Sequence, residues 1–357
     1  MRRTALFLLI ALLLFIAFPG LCEDITFRIT FAGDCTLGGE DYLRNTPASF
    51  DSLIGLYGIG YPFEKVQKIF QEDDYTLVNL ECALTDSADG RVSGKAYNFR
   101  GPAANAEILK MAGIDGVTLG NNHSGDYGKQ GIASTKDALK NAGIEYCLDK
   151  DVLITEIKGI RVAFIGMNVT TYNQSEDYLQ ERIATLKAEE GCQYVVMLLH
   201  YGWEYSFLHN RKQMLSSHLV INCGADLVVG HHPHVVQGIE IYKNRLILYS
   251  LGNFSFGGNQ TVKDKSLEAY MASVAVTISQ GKLKSQQLTI FPVHTSGTKP
   301  SNNYQPMLVT GDAAQSVIDR MQGDTPFPLN PYIEGKGAVQ DVLFADDAEE
   351  AQEVFLP

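Results

Sequence analysis

Apolar and polar positions alternate with two periods along this chain, and the changes of period mark out its elements. Ile25–Ala32 alternates and ends in Gly33-Asp34, which predicts a first strand. Phe63–Gln71 has helical spacing, and Tyr75–Asn79 predicts a second strand ending at Leu80-Glu81. Ala103–Ala112 predicts a helix, Gly116–Leu119 a strand, and Gly120–Asp126 a polar turn. Lys129–Ala142 predicts a helix stopped by Gly143. Val152–Ile157 and Ile160–Asn168 flank Lys158-Gly159 as a hairpin, and Glu176–Glu190 follows as a helix. Tyr194–Leu199 predicts a strand delivering His200; Arg211–Cys223 predicts a helix that leads into the apolar run Asp226–Val229. Ile239–Tyr242 and Arg245–Leu251 read as a second hairpin, and Leu267–Ile278 with Leu283–Phe291 as a third that completes the second sheet. The early β-α order followed by hairpins predicts a mixed α/β fold, sheets inside and helices outside. After Pro300 the pattern weakens. Asp312–Gln322 has helical spacing, and Gly323–Pro357, with four prolines and an acidic run at 346–350, reads as a peripheral, partly disordered extension.

At 357 residues, 45% hydrophobic and 20% charged, the chain has an ordinary globular composition. Its formal net charge of −12 argues against nucleic acid, or any anionic polymer, held by bulk charge. Arg2-Arg3 precede an apolar run from Ala5 to Phe18 that Pro19-Gly20 break. The run has the length of a signal-peptide core and is short for a spanning helix. Residues 1–22 are therefore expected to be a signal peptide or a retained anchor, with the body secreted or held on the extracytoplasmic face. The main domain is placed at 23–300 and the extension at 301–357. Six cysteines without regular spacing do not form a disulfide framework. Cys35 and Cys82 each neighbour an acidic residue of interest; Cys147, Cys192 and Cys223 lie in apolar surroundings.

Candidate chemistry concentrates at strand ends. Gly230-His231-His232-Pro233-His234 places three of eight histidines within four positions, directly after a buried-strand run. On an extended segment His232 and His234 share a side, and His231 points away. Neutral imidazole is the commonest metal-binding side chain. Four further segments share the design: Phe31-Ala32-Gly33-Asp34, Val78-Asn79-Leu80-Glu81, Leu119-Gly120-Asn121-Asn122-His123 and Leu198-Leu199-His200. Together they supply Asp34, Glu81, Asn122, His123, His200, His232 and His234. Carboxylate, amide and imidazole suit one or two divalent ions of the Mn, Fe or Zn type. No Gly-x-Ser-x-Gly elbow or Walker loop is present.

These segments, with Asp126 and Gly128, His200-Tyr201-Gly202-Trp203-Glu204 and Ser250-Leu251-Gly252-Asn253-Phe254, resemble the CapA-type poly-γ-glutamate capsule synthesis proteins, a branch of the calcineurin-like metallophosphoesterase superfamily. The resemblance implies a four-layer α/β/β/α sandwich of metallophosphoesterase type with mixed sheets and the site at one sheet edge. It implies that Asp34 and His234 hold a first metal, that Glu81 bridges, and that Asn122, His200 and His232 hold a second. His123 matches the residue that helps the leaving group depart, and a metal-bound hydroxide is the implied nucleophile. Two positions depart from the pattern: Thr36 stands where the superfamily has a histidine, and Glu81 replaces an aspartate. Glu204 is the spare acid, either an added ligand or a general base. Asn253 is placed to orient a ligand histidine. Tyr201 and Trp203 are expected to pack beside the site; His209, His218 and His294 are expected to be structural or exposed.

Two functions follow from this reading. One is an extracytoplasmic metal-dependent hydrolase or transferase in poly-γ-glutamate, capsule or envelope-polymer biosynthesis, acting on an anionic polymer or phosphoester. The other is a non-catalytic accessory that binds the polymer or its membrane-bound synthase.

Overall fold

The computed structural model describes residues 24–169 and 176–343. The expected signal or anchor segment and the acidic run lie outside the described residues. Among those residues no helix is long and apolar enough to cross a membrane.

Two mixed sheets form the frame. In the first, β1 (Ile25–Thr36), β2 (Tyr75–Leu80), β5 (Gly116–Thr118) and β6 (Glu145–Cys147) run parallel and adjacent. A short ribbon of β3 (Ala83–Leu84) and β4 (Arg100–Gly101) follows β2 in the chain. In the second sheet, β7 (Leu153–Ile157) is antiparallel to β8 (Ile160–Asn168). Parallel pairs then link β8 to β9 (Tyr194–His200) and β9 to β10 (Leu227–His231). The hairpin of β11 (Ile239–Tyr242) and β12 (Arg245–Leu248) closes that sheet on β10. β13 (Asn253–Phe256) returns to the first sheet and pairs parallel with the end of β1. The long hairpin of β14 (Glu268–Ser279) and β15 (Lys282–His294) follows, with β16 (Met307–Leu308) and β17 (Ala338–Leu343) on its outer strand.

Period-2 alternation divides the interior. Phe27, Ile29 and Phe31 of β1 meet Phe164 of β8, Val196 of β9 and Val229 of β10 in a core between the sheets. Tyr75 stacks on Phe164 across that gap, centroids 5.3 Å apart. The other face of the first sheet, through Ala32, Val78 and Val117, packs on four helices: α1 (Phe50–Tyr57), α2 (Gln67–Glu72), α3 (Ala106–Ala112) and α4 (Gly128–Ala142). The outer face of the second sheet, through Ile165, Met197 and Val228, packs on α5 (Glu176–Ala188) and α6 (Arg211–Asn222). Phe164 is fully buried where both sheets meet. Phe164→Ala is expected to cost about 3–5 kcal/mol of unfolding free energy, measured by denaturant titration.

Three expectations change. The third hairpin joins the first sheet, not the second, because β14 pairs antiparallel with β1 from Ile25 to Phe31. Residues 301–343 are not peripheral. Val317, Ile318 and Met321 of α7 (Gly311–Gln322) enter the core between the sheets, and β17 pairs with β15 over six residues. The prolines there interrupt the periodicity without preventing either element. α1 also lacked a clear sequence signal: a Ser49 cap starts it, but only Phe50 of its residues is buried.

Candidate metal centre

The parallel strands of both sheets deliver their last residues to one edge, where α/β folds place ligands. A bulge does the first piece of aiming. The β1–β2 register shifts between Ala32 and Asp34, so that Asp34 comes level with Asn79. Gly33 makes this possible: a Cβ there would lie 2.0 Å from the Gly252 carbonyl oxygen. Asp34 is fully buried and its backbone N–H donates to that same carbonyl. Gly230 has the same reason, since its Cβ would meet the Tyr249 carbonyl at 2.1 Å.

Glu81 sits at the centre. Its Oε1 is buried and has no hydrogen-bond partner. Three imidazoles converge on that atom: His200 Nε2 at 3.7 Å, His234 Nε2 at 3.8 Å and His123 Nε2 at 4.0 Å. These spacings are too long for hydrogen bonds, and those of His200 and His234 suit metal ligands beside a shared carboxylate. Ligand atoms of Asp34, Glu81 and His234 form one group within 4.8 Å of one another, and those of Glu81, His200 and His232 form a second. Glu81 belongs to both. Asn122 Oδ1 lies 2.7 Å from His200 Nε2, which adds it to the second group. Glu204, exposed at the rim, forms a third group with His232 and His234. The Nδ1 atoms of His200 and His232 are buried without partners.

His232 and His234 reach these places by a route the extended-strand argument did not foresee. β10 stops at His231, and both His232 and His234 have left-handed φ values, 98° and 58°. The turn, not strand alternation, aims His232 at Glu81 and His200 and His234 at Asp34 and Glu81, with Glu204 within reach of both. His231 is buried, its Nε2 3.4 Å from the Ala32 carbonyl, so it braces β1 from behind.

Hydrogen bonds outside the cluster fix these groups. His234 Nδ1 donates to Asn253 Oδ1 at 2.9 Å and lies 3.0 Å from Asp34 Oδ2, which turns Nε2 toward Glu81. Asn79 Nδ2 donates to Asp34 at 2.8 Å and to Glu81 at 3.3 Å. Asn121 Nδ2 donates to Asn79 Oδ1, while its own Oδ1 accepts the His123 and Ser124 N–H groups. Thr36 contributes no ligand, because its hydroxyl donates to the Glu81 backbone carbonyl. His123 Nδ1 meets Asp126 Oδ2 at 2.7 Å, Lys95 pairs with the same carboxylate, and Phe99 covers the imidazole with centroids 4.4 Å apart.

Asn121, Asp126 and Lys95 lie in polar turn and loop segments whose pattern carries no sign of these contacts. Tyr201 packs inside with its hydroxyl on Ser217, but Trp203 is 69% exposed. His209 and His218 bind Asp324 and Glu240 away from the site. Cys35 and Cys82 are buried and unpaired, and burial pushes the Cys82 thiol up to about 12. Neither offers a thiolate ligand.

The electrostatics match a cluster built around positive charge. Burial and the Asp34 charge hold Glu81 well above the usual carboxylate range. Burial opposes ionisation of Asp34, yet the hydrogen bond and charge of His234 hold it below that range. His234 is raised to about 9: burial acts against it, and the charges of Glu81 and Asp34 with the Asp34 hydrogen bond prevail. Burial and His234 push His232 down to about 4, and burial and His232 push His200 well below the usual imidazole range. Low-lying neutral imidazoles are the form that ligates metal.

The chain has relatives among known proteins. It is 29% identical over 273 residues to a capsule biosynthesis protein CapA of Bacillus anthracis, a match covering 70% of this chain and 64% of that one. It is 28% identical over 269 residues to a PGA biosynthesis protein CapA of Bacillus subtilis, covering 70% and 68%. A probable polyglutamine synthesis accessory protein of Mycobacterium tuberculosis matches at 24% over 233 residues, covering 56% and 61%. Among solved structures, a hypothetical protein from Thermus thermophilus is alike at a TM-score of 0.45 and 15% identity, covering 74% of this chain and 99% of that one, too loosely to carry an argument. The family of the bacterial capsule synthesis protein PGA_cap matches residues 28–258. That stretch holds every candidate ligand from Asp34 to His234, and Asn253 with them: the chain belongs to this family.

Proposed function

We propose that this protein is a metal-dependent hydrolase or transferase acting outside the cytoplasm in the synthesis of poly-γ-glutamate or another capsule or envelope polymer. The observation that carries the reading is the unpartnered Glu81 Oε1 with three imidazole nitrogens at 3.7–4.0 Å around it. The family and its relatives' names support the polymer; the apolar stretch near the N-terminus supports the location. The order helices, sheet, sheet, helices supports the four-layer sandwich of metallophosphoesterase type.

The residues fit a divalent ion of the Mn, Fe or Zn type. Asp34, Glu81 and His234 would hold one; Glu81, Asn122, His200 and His232 would hold another, with Glu204 in reserve. Such an ion supplies Lewis-acid polarisation of a phosphoryl or carbonyl oxygen. The chain's own part is positioning and proton transfer. Asp126 fixes the His123 ring through Nδ1, leaving Nε2 facing Glu81 to protonate a leaving group. The Phe99 ring keeps water from one face of that imidazole.

Thr36 favours a second reading, an accessory that binds polymer or its membrane-bound synthase without turnover. It offers no ligand, so the first group has three donors only. Metal analysis after supplying Mn or Zn, followed by assays on phosphodiesters and on γ-glutamyl polymers, decides between them. At least about one ion per chain with turnover of either substrate is the expected result. Less than one ion, or a fully loaded protein inert on both, removes the hydrolase reading.

A further inference from the structure

A chain of net charge −12 repels a polyanion, so a site for one needs local positive charge. The mouth of the metal centre supplies it. Tyr205 stands beside His234, ring centroids 6.1 Å apart. Its φ of 61° is left-handed, an unfavourable place for a bulky residue, and its N–H donates to the Pro233 carbonyl between His232 and His234. The loop therefore accepts strain to hold this ring at the metal site. Over the same ring lie two ammonium groups, Lys265 Nζ at 4.6 Å and Lys263 Nζ at 4.9 Å from its centroid. Both lysines are exposed, and neither has an ion-pair partner within 4.0 Å among the described residues. Asp264 between them is neutralised by Lys299, and Glu204 is turned toward His232 and His234. Tyr97, 58% exposed, stacks on Phe99, whose ring covers His123.

We propose that Lys263, Lys265 and the face of Tyr205 form an anion-gripping subsite at this mouth, holding carboxylates of a polyanionic chain while an adjoining unit lies at the metal centre. The lysines supply point charges for successive carboxylates, and the Tyr205 ring beneath the ammonium groups holds them at the mouth. This rests on the polymer substrate proposed above, but its test needs no turnover.

The test is binding of fluorescently labelled poly-γ-glutamate to the full chain by anisotropy, at low and at physiological salt. A Lys263→Gln/Lys265→Gln double variant is expected to bind about tenfold more weakly or worse, with unchanged metal content and a smaller loss of affinity on adding salt. Lys110→Gln/Lys140→Gln makes the same change of net charge at the opposite edge, where these lysines flank the strand starts at Asp115 and Glu145. It is expected to bind as the parent does. Equal affinity of the first variant and the parent, or equal weakening of both variants, overturns the subsite. Absence of polymer binding by the parent, or tighter binding of polyphosphate, overturns the polycarboxylate assignment. A protein that binds polymer through these lysines yet holds no metal would defeat the hydrolase reading and leave the subsite standing.

Discussion

Glu81→Gln is expected to abolish stable metal binding while leaving the fold intact. Glu81 is the one side chain shared by both ligand groups, so its loss damages both at once. The change removes a ligating carboxylate and almost no volume. Asn79 can still donate to the remaining carbonyl oxygen, as it does to Glu81 Oε2 at 3.3 Å. Burial and the Asp34 charge already hold this carboxyl well above its usual range, so a neutral amide suits the metal-free pocket. Affinity is expected to fall by roughly 100-fold or more, beyond the 10–100-fold typical of groups that only orient ligands. Two measurements check it. Metal content after dialysis should drop from at least one ion per chain to near none. The parent's stabilisation by metal, about 2.7 kcal/mol at a hundredfold excess over Kd, should vanish. His232→Ala tests the second group alone and should lose metal from it. Full metal content in Glu81→Gln would remove Glu81 from the centre and, with it, the shared-ligand geometry.

The sequence carried this site further than it carried the fold around it. Asp34, Glu81, Asn122, His123, His200, His232 and His234 each follow an apolar run, and parallel strands must end at a common edge, so the pattern itself brings them together. The aim of each side chain was less legible. Alternation placed His232 and His234 on one side of a strand, whereas a left-handed turn brings His232 to Glu81 and His200, His234 to Asp34 and Glu81, and both to Glu204. Turn geometry depends on what the loop packs against, and Pro233 is held there by the remote Tyr205 N–H. Lys95 and Asp126 sit in loops with no period to read, although together they orient His123. The sheet assignment of the β14–β15 hairpin was hidden for a similar reason. Alternation identifies a strand and its buried face, but only long-range pairing with β1 decides which sheet receives it.

Removing the His123 imidazole should separate catalysis from metal binding. His123 Nε2 is the most distant of the three nitrogens around Glu81 Oε1, and its Nδ1 is committed to Asp126 at 2.7 Å. Among the described residues it belongs to none of the three groups that could hold a metal ion. His123→Ala is therefore expected to keep its metal and lose about 10²–10⁴-fold in kcat, the range for a lost general acid, with KM little changed. The dependence on leaving group gives a sharper readout. A general acid matters most when the departing group is basic, so the variant should lose far more rate on alkyl than on nitrophenyl phosphodiesters. Burial lowers the His123 imidazole, and the Asp126 hydrogen bond and charge act against that. Asp126→Asn should follow in the same direction with a smaller loss, because the ring remains but its orientation weakens. It should also destabilise the fold, since Lys95 loses its buried partner and Phe99 N–H keeps only an amide acceptor. Equal losses on both classes of leaving group would deny His123 the proton-donor role. Loss of metal from His123→Ala would make it a ligand instead, a further imidazole beside Glu81.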